Sequence, residues 1–252
     1  MNQFTAQQLL EEIKKIGQAL EAKTAVFMIG GCSMSLRGLK PSTKDVDLIF
    51  TEKSGLDGFA ETLERRGYSK SFETGGEYAK LEAQVIYRKE DSAGFDLFLN
   101  KVCGGLVLSG AMKKRALNFQ EFGKLQVFLC SEEDVFVFKS ITERPRDVDD
   151  MAALIKAKLD DFDWNAIKNE VEEQTKHYPN LSTLAYNKLV ELKEKHEISP
   201  PIVSWLKRKS NEQILKLEFK QRIEAGMTRE QVFQNLKKKG FTKKELEKLR
   251  ES

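Results

Sequence analysis

The chain has 252 residues, 40% of them hydrophobic and 32% charged, with 42 Lys+Arg against 39 Asp+Glu for a net charge of +3. That length buries a substantial core, as one large domain or as a mixed domain of about 150 residues with a smaller one, and 5 prolines without any low-complexity tract exclude a disordered chain. No apolar run approaches the roughly 18 residues of a membrane span and the polar start MNQFTAQQLLEE lacks a signal-peptide core, so a cytoplasmic protein without membrane contact is expected.

Thr5-Ala-Gln-Gln8 is a capping-box pattern, and Leu9, Ile13, Ile16 and Leu20 then recur at helical spacing, which predicts an opening amphipathic helix. Val26 to Ile29 reads as a short strand broken by Gly30-Gly31, followed by a short helix over Ser33 to Arg37. Asp45 to Phe50 reads as a second strand and Leu56 to Arg66 as a helix ended by Gly67. Ser71 to Thr74, a Gly75-Gly76 turn and a run with Ala79, Leu81, Ala83, Val85 and Tyr87 on one face predict a β-hairpin. A strand over Gly94 to Leu99, a Gly104-Gly105 loop, a helix over Ser109 to Leu117, a strand over Leu125 to Leu129 and a helix from Ser131 toward Ile141 follow. Beyond Arg146 the pattern is helical almost throughout, with Pro200-Pro201 as a linker and two further capping boxes at Thr228–Gln231 and Thr242–Glu245.

Charge is distributed unevenly. Val203 to Ser252 hold 14 Lys+Arg against 7 Asp+Glu, so the positive charge is concentrated in the tail. Lysines on short helices suit attraction to RNA phosphates as well as they suit a plain solvated surface. Cys32, Cys103 and Cys130 are odd in number and form no CxxC pair, which excludes a disulfide framework and a zinc site and leaves buried free thiols. His177 and His196 have no acid or serine patterned around them, so a histidine triad is excluded too. Any chemistry falls to carboxylates.

The stretch MIGGCSMSLRGLKPSTKDVDLIF, Met28 to Phe50, supplies them. Side chains alternate along a strand, so Asp45 and Asp47 share one face while Val46, Leu48 and Phe50 pack on the other. Two carboxylates side by side repel unless a proton or a divalent cation such as Mg²⁺ or Mn²⁺ lies between them. Gly30-Gly31 at a strand end lets the backbone turn tightly and present N–H groups to an anion, with the Ser33 hydroxyl as a further donor: a cradle for the phosphates of an NTP.

Apolar-Gly-Gly, 13 residues from Cys32 to Lys44, and then Asp45-Val-Asp47 resembles the signature of the DNA polymerase beta-like nucleotidyltransferase superfamily. The resemblance implies a small mixed sheet in which Asp45, Asp47 and a third acid hold two Mg²⁺ ions. Asp96, alone within the apolar run Phe95-Asp-Leu-Phe-Leu99, is the candidate third acid. Thr43-Lys-Asp-Val-Asp47, Phe95-Asp96-Leu97, Val135-Phe-Val-Phe-Lys139 and Arg144-Pro-Arg-Asp-Val-Asp-Asp150 further resemble the branch that includes abortive-infection toxin nucleotidyltransferases, over roughly Ala25 to Ile155. By that resemblance Thr43 belongs to the nucleotide-binding element, Lys139 approaches the nucleotide phosphates, and the toxin branch implies an antitoxin as protein partner. Relatives often carry an arginine just before the Thr-x-Asp-x-Asp element where this chain has Pro41-Ser42, leaving Arg37 and Lys40 as replacements.

The expectation is an α+β fold: a nucleotidyltransferase-like mixed β-sheet flanked by helices (1–145), a helical domain packed on it (146–200) and a basic helical C-terminal region (201–252). The expected activity is metal-dependent transfer of an NMP from an NTP to a hydroxyl acceptor, RNA such as tRNA by way of the basic tail. A noncatalytic binding protein on the same fold and a small-molecule transferase of the antibiotic-modifying kind are the alternatives.

Overall fold

The computed structural model describes residues 2–71, 85–102, 105–142 and 144–248. Helix α1 (Ala6–Ala19) starts at the expected capping box, in which the Thr5 hydroxyl accepts from the Gln8 amide and the Gln8 side chain accepts from the Thr5 amide. Such a cap stabilises a helix start by about 1 kcal/mol. Strand β1 (Thr24–Ile29) runs straight into α2 (Gly30–Leu36), so the two glycines are the first turn of that helix, which begins three residues before the expected Ser33. Strand β2 (Asp45–Phe50), helix α3 (Lys53–Arg65) and strand β3 (Ser69–Ser71) follow. The Gly75-Gly76 turn and Ala79, Leu81 and Ala83 of the expected hairpin lie outside the described residues, as do Cys103 and Gly104. Val85 and Tyr87 belong to β4 (Val85–Arg88), which pairs antiparallel with β5 (Gly94–Leu99).

A two-stranded ribbon, β6 (Lys101–Val102) with β7 (Leu106–Val107), leads to α4 (Gly110–Arg115). The expected helix through Leu117 stops short here. Leu117–Phe122 instead forms β8 and pairs antiparallel with β9 (Leu125–Leu129) across the two-residue turn Gly123-Lys124, where Gly123 has φ +60°. A glycine opening a two-residue loop is a hairpin signal, since its backbone twist matches that of the flanking strands. Beyond β9 the chain is helical: α5 (Glu132–Lys139), α6 (Pro145–Lys158), a 3-10 turn at Leu159–Asp161, α7 (Trp164–Thr175), α8 (Leu181–His196), α9 (Val203–Glu224), α10 (Arg229–Lys238) and α11 (Lys243–Lys248).

Seven strands form one mixed sheet in the order β3-β4-β5-β2-β1-β9-β8. β1 pairs antiparallel with β2 and parallel with β9, and β2 pairs parallel with β5. Strand alternation gives the sheet two buried faces. Val46, Leu48 and Phe50 pack with Leu9, Ile13, Leu56, Phe59 and Leu63 under α1 and α3. Phe27, Ile29, Ile49 and Phe98 pack with Val135, Phe136, Met151 and Leu189 of the following helices. The acids of β2 therefore project toward the helical half, as the alternation requires. This is the α+β fold expected, a mixed sheet flanked by helices with a helical C-terminal region.

Pro200-Pro201 does not open a separate unit at once. Ile202 and Leu206 are buried in the main core, whereas Leu215, Val232, Leu236 and Leu246 gather into a small core of their own between the second half of α9, α10 and α11. Both tail capping boxes form, Thr228 with Gln231 and Thr242 with Glu245. Among the described residues, no helix is long and apolar enough to cross a membrane.

Candidate active site

The pairing of three strands assembles the acids. Asp47 is the register partner of Asp96 on β5 and of Ile29 on β1, the residue just before Gly30. Asp45 lies two residues back on the same face, opposite Gly94. Asp45 and Asp96 are buried and Asp47 is half-buried. Gly30 adopts φ +63°, and a Cβ there would lie 2.3 Å from Asp47 Oδ2; at Gly31 a Cβ would lie 2.7 Å from Thr43 Oγ1. Only glycine lets the start of α2 come this close to the acids. Ser33 is fully buried, and its Oγ finds no hydrogen-bond partner among the described residues. Beneath the acids the Cys32 thiol donates to the Ile29 carbonyl at 2.9 Å and accepts from the Asp47 amide at 3.4 Å. Cys32 and Cys130 are buried free thiols, as expected for those two.

A cavity of about 240 Å³ opens over these residues. Asp45, Asp47 and Asp96 line it together with Gly31 and Thr43, and so do five cations, Lys40, Lys44, Lys139, Arg144 and Arg146, with Asp147 and Asp150 among them. Lys139 is 3% exposed and its Nζ lies 2.8 Å from Asp147 Oδ1 and 2.6 Å from Asp150 Oδ2. Lys40 Nζ approaches Asp150 at 2.9 Å, Arg144 Nε approaches Asp147 at 2.8 Å, and the Thr142 hydroxyl also donates to Asp147. Burial works against the charge of Asp147, yet Lys139 and Arg144 hold its carboxyl well below the usual carboxylate range. Two carboxylates of α6 thus fix three of the cations that line the cavity. Asp149 points elsewhere, to Lys195 and His196 of α8.

Of the two cations proposed to replace the missing arginine, Lys40 lines the cavity, while Arg37 is tied to the Cys130 carbonyl at 2.8 Å and to Glu132 at 3.2 Å. Arg88 carries no local signal of its own in the sequence, whereas Asp150 ends the Arg144 to Asp150 segment read there; both touch this site, and Arg88 Nη1 lies 2.7 Å from Asp96 Oδ1. A second cavity, of about 420 Å³, adjoins the first and shares Lys44 and Asp45 with it.

The donor set suits a hard divalent cation, being all carboxylate oxygen. Its charge is undercompensated at one place: burial, then the charges of Asp96 and Asp45, push the Asp47 carboxyl up to about 7 against the pull of Arg144 and Lys139. Among the described residues the acids are not already gathered as a three-ligand metal cluster, and the Arg88 guanidinium lies within 4.0 Å of both Asp45 and Asp96. A testable pH dependence follows. An unfolded Asp titrates near 3.9, so between about pH 4 and pH 7 the folded protein holds a proton that the unfolded chain has lost, and stability falls as pH rises through that window. Metal-free protein should melt several degrees lower at about pH 8 than at about pH 5, with a steeper slope than in Asp47→Asn; parallel slopes would show that Asp47 is already compensated.

A mixed sheet that sets a Gly-Gly helix start beside strand-borne aspartates, with Lys and Arg facing them across one cavity, defines a nucleotidyltransferase-type protein. The chain belongs to the family described as "Nucleotidyltransferase of unknown function (DUF6036)", whose model matches residues 5–199 and so ends before α9. No curated protein matches the chain.

Proposed function

We propose that this protein transfers an NMP from an NTP to a hydroxyl acceptor at the Asp45–Asp47–Asp96 site. The separation, within one cavity, of the strand acids Asp45, Asp47 and Asp96 from five cations, two of which are paired with Asp147 and two with Asp150, carries the reading, because an NTP bound with its metal needs both charges within a few ångströms. Asp45, Asp47 and Asp96 would hold Mg²⁺ or Mn²⁺, which when bound offsets the charge developing on the α-phosphate and the leaving pyrophosphate. Lys40, Lys139 and Arg144, oriented in advance by Asp147 and Asp150, and Arg146 beside them bind the phosphate oxygens, so little reorganisation accompanies the reaction. The first amides of α2 approach from the Gly30-Gly31 side. The acceptor enters through the adjoining cavity, where Lys44 and Asp45 are common to both walls and align the attacking oxygen with the phosphate. The experiment is incubation of the protein with each of the four NTPs labelled at the α-phosphate, Mg²⁺ or Mn²⁺, and total RNA. Label retained on the RNA supports the proposal; no transfer with any NTP or metal overturns it.

RNA is the acceptor class that the basic tail favours. Lys216, Lys220, Lys237 and Lys238 are exposed on α9 and α10. Because Leu206 belongs to the main core, a cut at Val203 would open that core, and charge removal in the intact chain is the cleaner test. Replacing these four lysines by Gln should weaken RNA binding about tenfold at low salt and flatten its salt dependence. Unchanged affinity at every salt concentration would make the tail a structural appendage.

A further inference from the structure

Arg88 belongs to the site for a reason set by the sheet itself. The registers Ile86↔Asp96 and Tyr87↔Phe95 bring Arg88 next to Gly94, and Gly94 is the partner of Asp45 on the following strand. Arg88, Gly94 and Asp45 therefore form a row across β4, β5 and β2. The middle position has no side chain, and the guanidinium passes over it: Nη1 lies 2.7 Å from Asp96 Oδ1, and Nη2 lies 3.6 Å from Asp45 Oδ1. Nη1 also donates to the Tyr87 carbonyl at 3.1 Å. A Cβ at Gly94 would lie 2.5 Å from Arg88 Nη1 and 2.6 Å from Asp45 Oδ1. The passage fits this side chain and closes if any other residue stands at position 94.

On the nucleotidyltransferase reading above, we propose that Arg88 is a resident cation of the site, holding Asp45 and Asp96 in the place of one divalent ion on the acceptor side, so that the free protein takes a single divalent cation. Two observations support this beyond the contacts themselves. Arg88 lines the acceptor-side cavity and reaches from there to Asp45, which lines both cavities, and to Asp96, which lines the first, whereas Asp47, also in the first, has no ion pair within 4.0 Å among the described residues. A guanidinium keeps its charge at every pH at which the protein is folded and matches carboxylates with a planar fork, so it does not leave by titration. A second dication can reach Asp45 and Asp96 only by displacing a positive group that then remains nearby.

The test counts Mn²⁺ bound to metal-free full-length protein from the EPR signal of the free ion, without nucleotide. Wild type and Arg88→Lys should bind one Mn²⁺ per chain, and Arg88→Met two, the second at least about tenfold more tightly than any second ion of the wild type. Asp47→Asn should lose the single ion. If Arg88→Met fails to fold, Arg88→Gln, which removes the charge and keeps a polar end beside Asp96, should likewise admit a second ion. Two equivalent ions in the wild type, or one ion in wild type and uncharged variants alike, would overturn the role of Arg88 and leave the metal site standing. No Mn²⁺ bound by any of these proteins at millimolar concentration would overturn the metal-dependent reading, and the resident-cation role with it.

Discussion

Replacing Asp47 with Asn should abolish nucleotidyl transfer, lowering its rate by about 10³-fold or more, the order lost when a charge-stabilising group is removed from a preorganised site. Asn is nearly isosteric with Asp, and the backbone amide of residue 47 would keep its contact with the Cys32 thiol. The loss is therefore one of charge. Stability should move the other way: Asp47 sits beside Asp45 and Asp96 with its carboxyl raised to about 7, so at neutral pH the metal-free variant sheds a repulsion and should melt higher than the wild type. Added Mn²⁺ should raise the melting temperature of the wild type and not that of the variant. Labelled-NTP transfer and thermal melts on the same preparations check both halves. A transfer rate near that of the wild type would remove Asp47 from the chemistry, and a lower metal-free melt would show it to be a structural anchor.

Lys139→Met should cost about 3 kcal/mol of stability, the low end of the penalty for breaking a buried ion pair, because Asp147 keeps Arg144 and Asp150 keeps Lys40 while both lose the cation they share. A phosphate-contacting lysine at a solvated surface would lose substrate affinity on substitution with little effect on folding. Here Asp147 is fully buried and Asp150 nearly so, and Lys139 is the cation common to both. A drop in melting temperature of roughly 10 °C is expected for a chain of this size. Adding Asp147→Asn should return part of it, because one of the two buried charges that lost the shared cation is then gone. Should Lys139→Met melt within a degree or two of the wild type, the α5–α6 ion-pair network contributes little and Lys139 serves the ligand alone.

Much of what a reader of the sequence can see rests on relations between residues two to four apart, while Asp96 and the spacing from Gly30-Gly31 to Asp45 are legible through their resemblance to a family. Alternation along β2 places Asp45 and Asp47 on one face, and Val46, Leu48 and Phe50 are found in the opposite core. Capping boxes at Thr5, Thr228 and Thr242 are equally local, each a reciprocal bond across three residues. Gly30-Gly31 marks a tight approach, although its use as the first turn of α2 depends on where Asp47 and Thr43 come to rest. Leu117–Phe122 is a strand because β9 offers it an edge; its own pattern has only Phe122 buried, and the neighbouring helix pattern ran over its start.

Arg88 and Lys139 show where local reading ends. Periodicity places Arg88 on a strand, but its contact with Asp45 and Asp96 arises from the order β4-β5-β2, which depends on which edges pair and which crossovers the chain takes. Strand order is a long-range choice, decided by the summed burial of both sheet faces and not by any short window. Lys139 reads as a helix lysine in the last turn of α5, and only the packing of α6 against that helix buries it between Asp147 and Asp150. Residue chemistry and spacing thus define which carboxylates share a face, while tertiary packing decides which cations meet them, because a side chain's charge partner can come from any element that folding brings within a few ångströms.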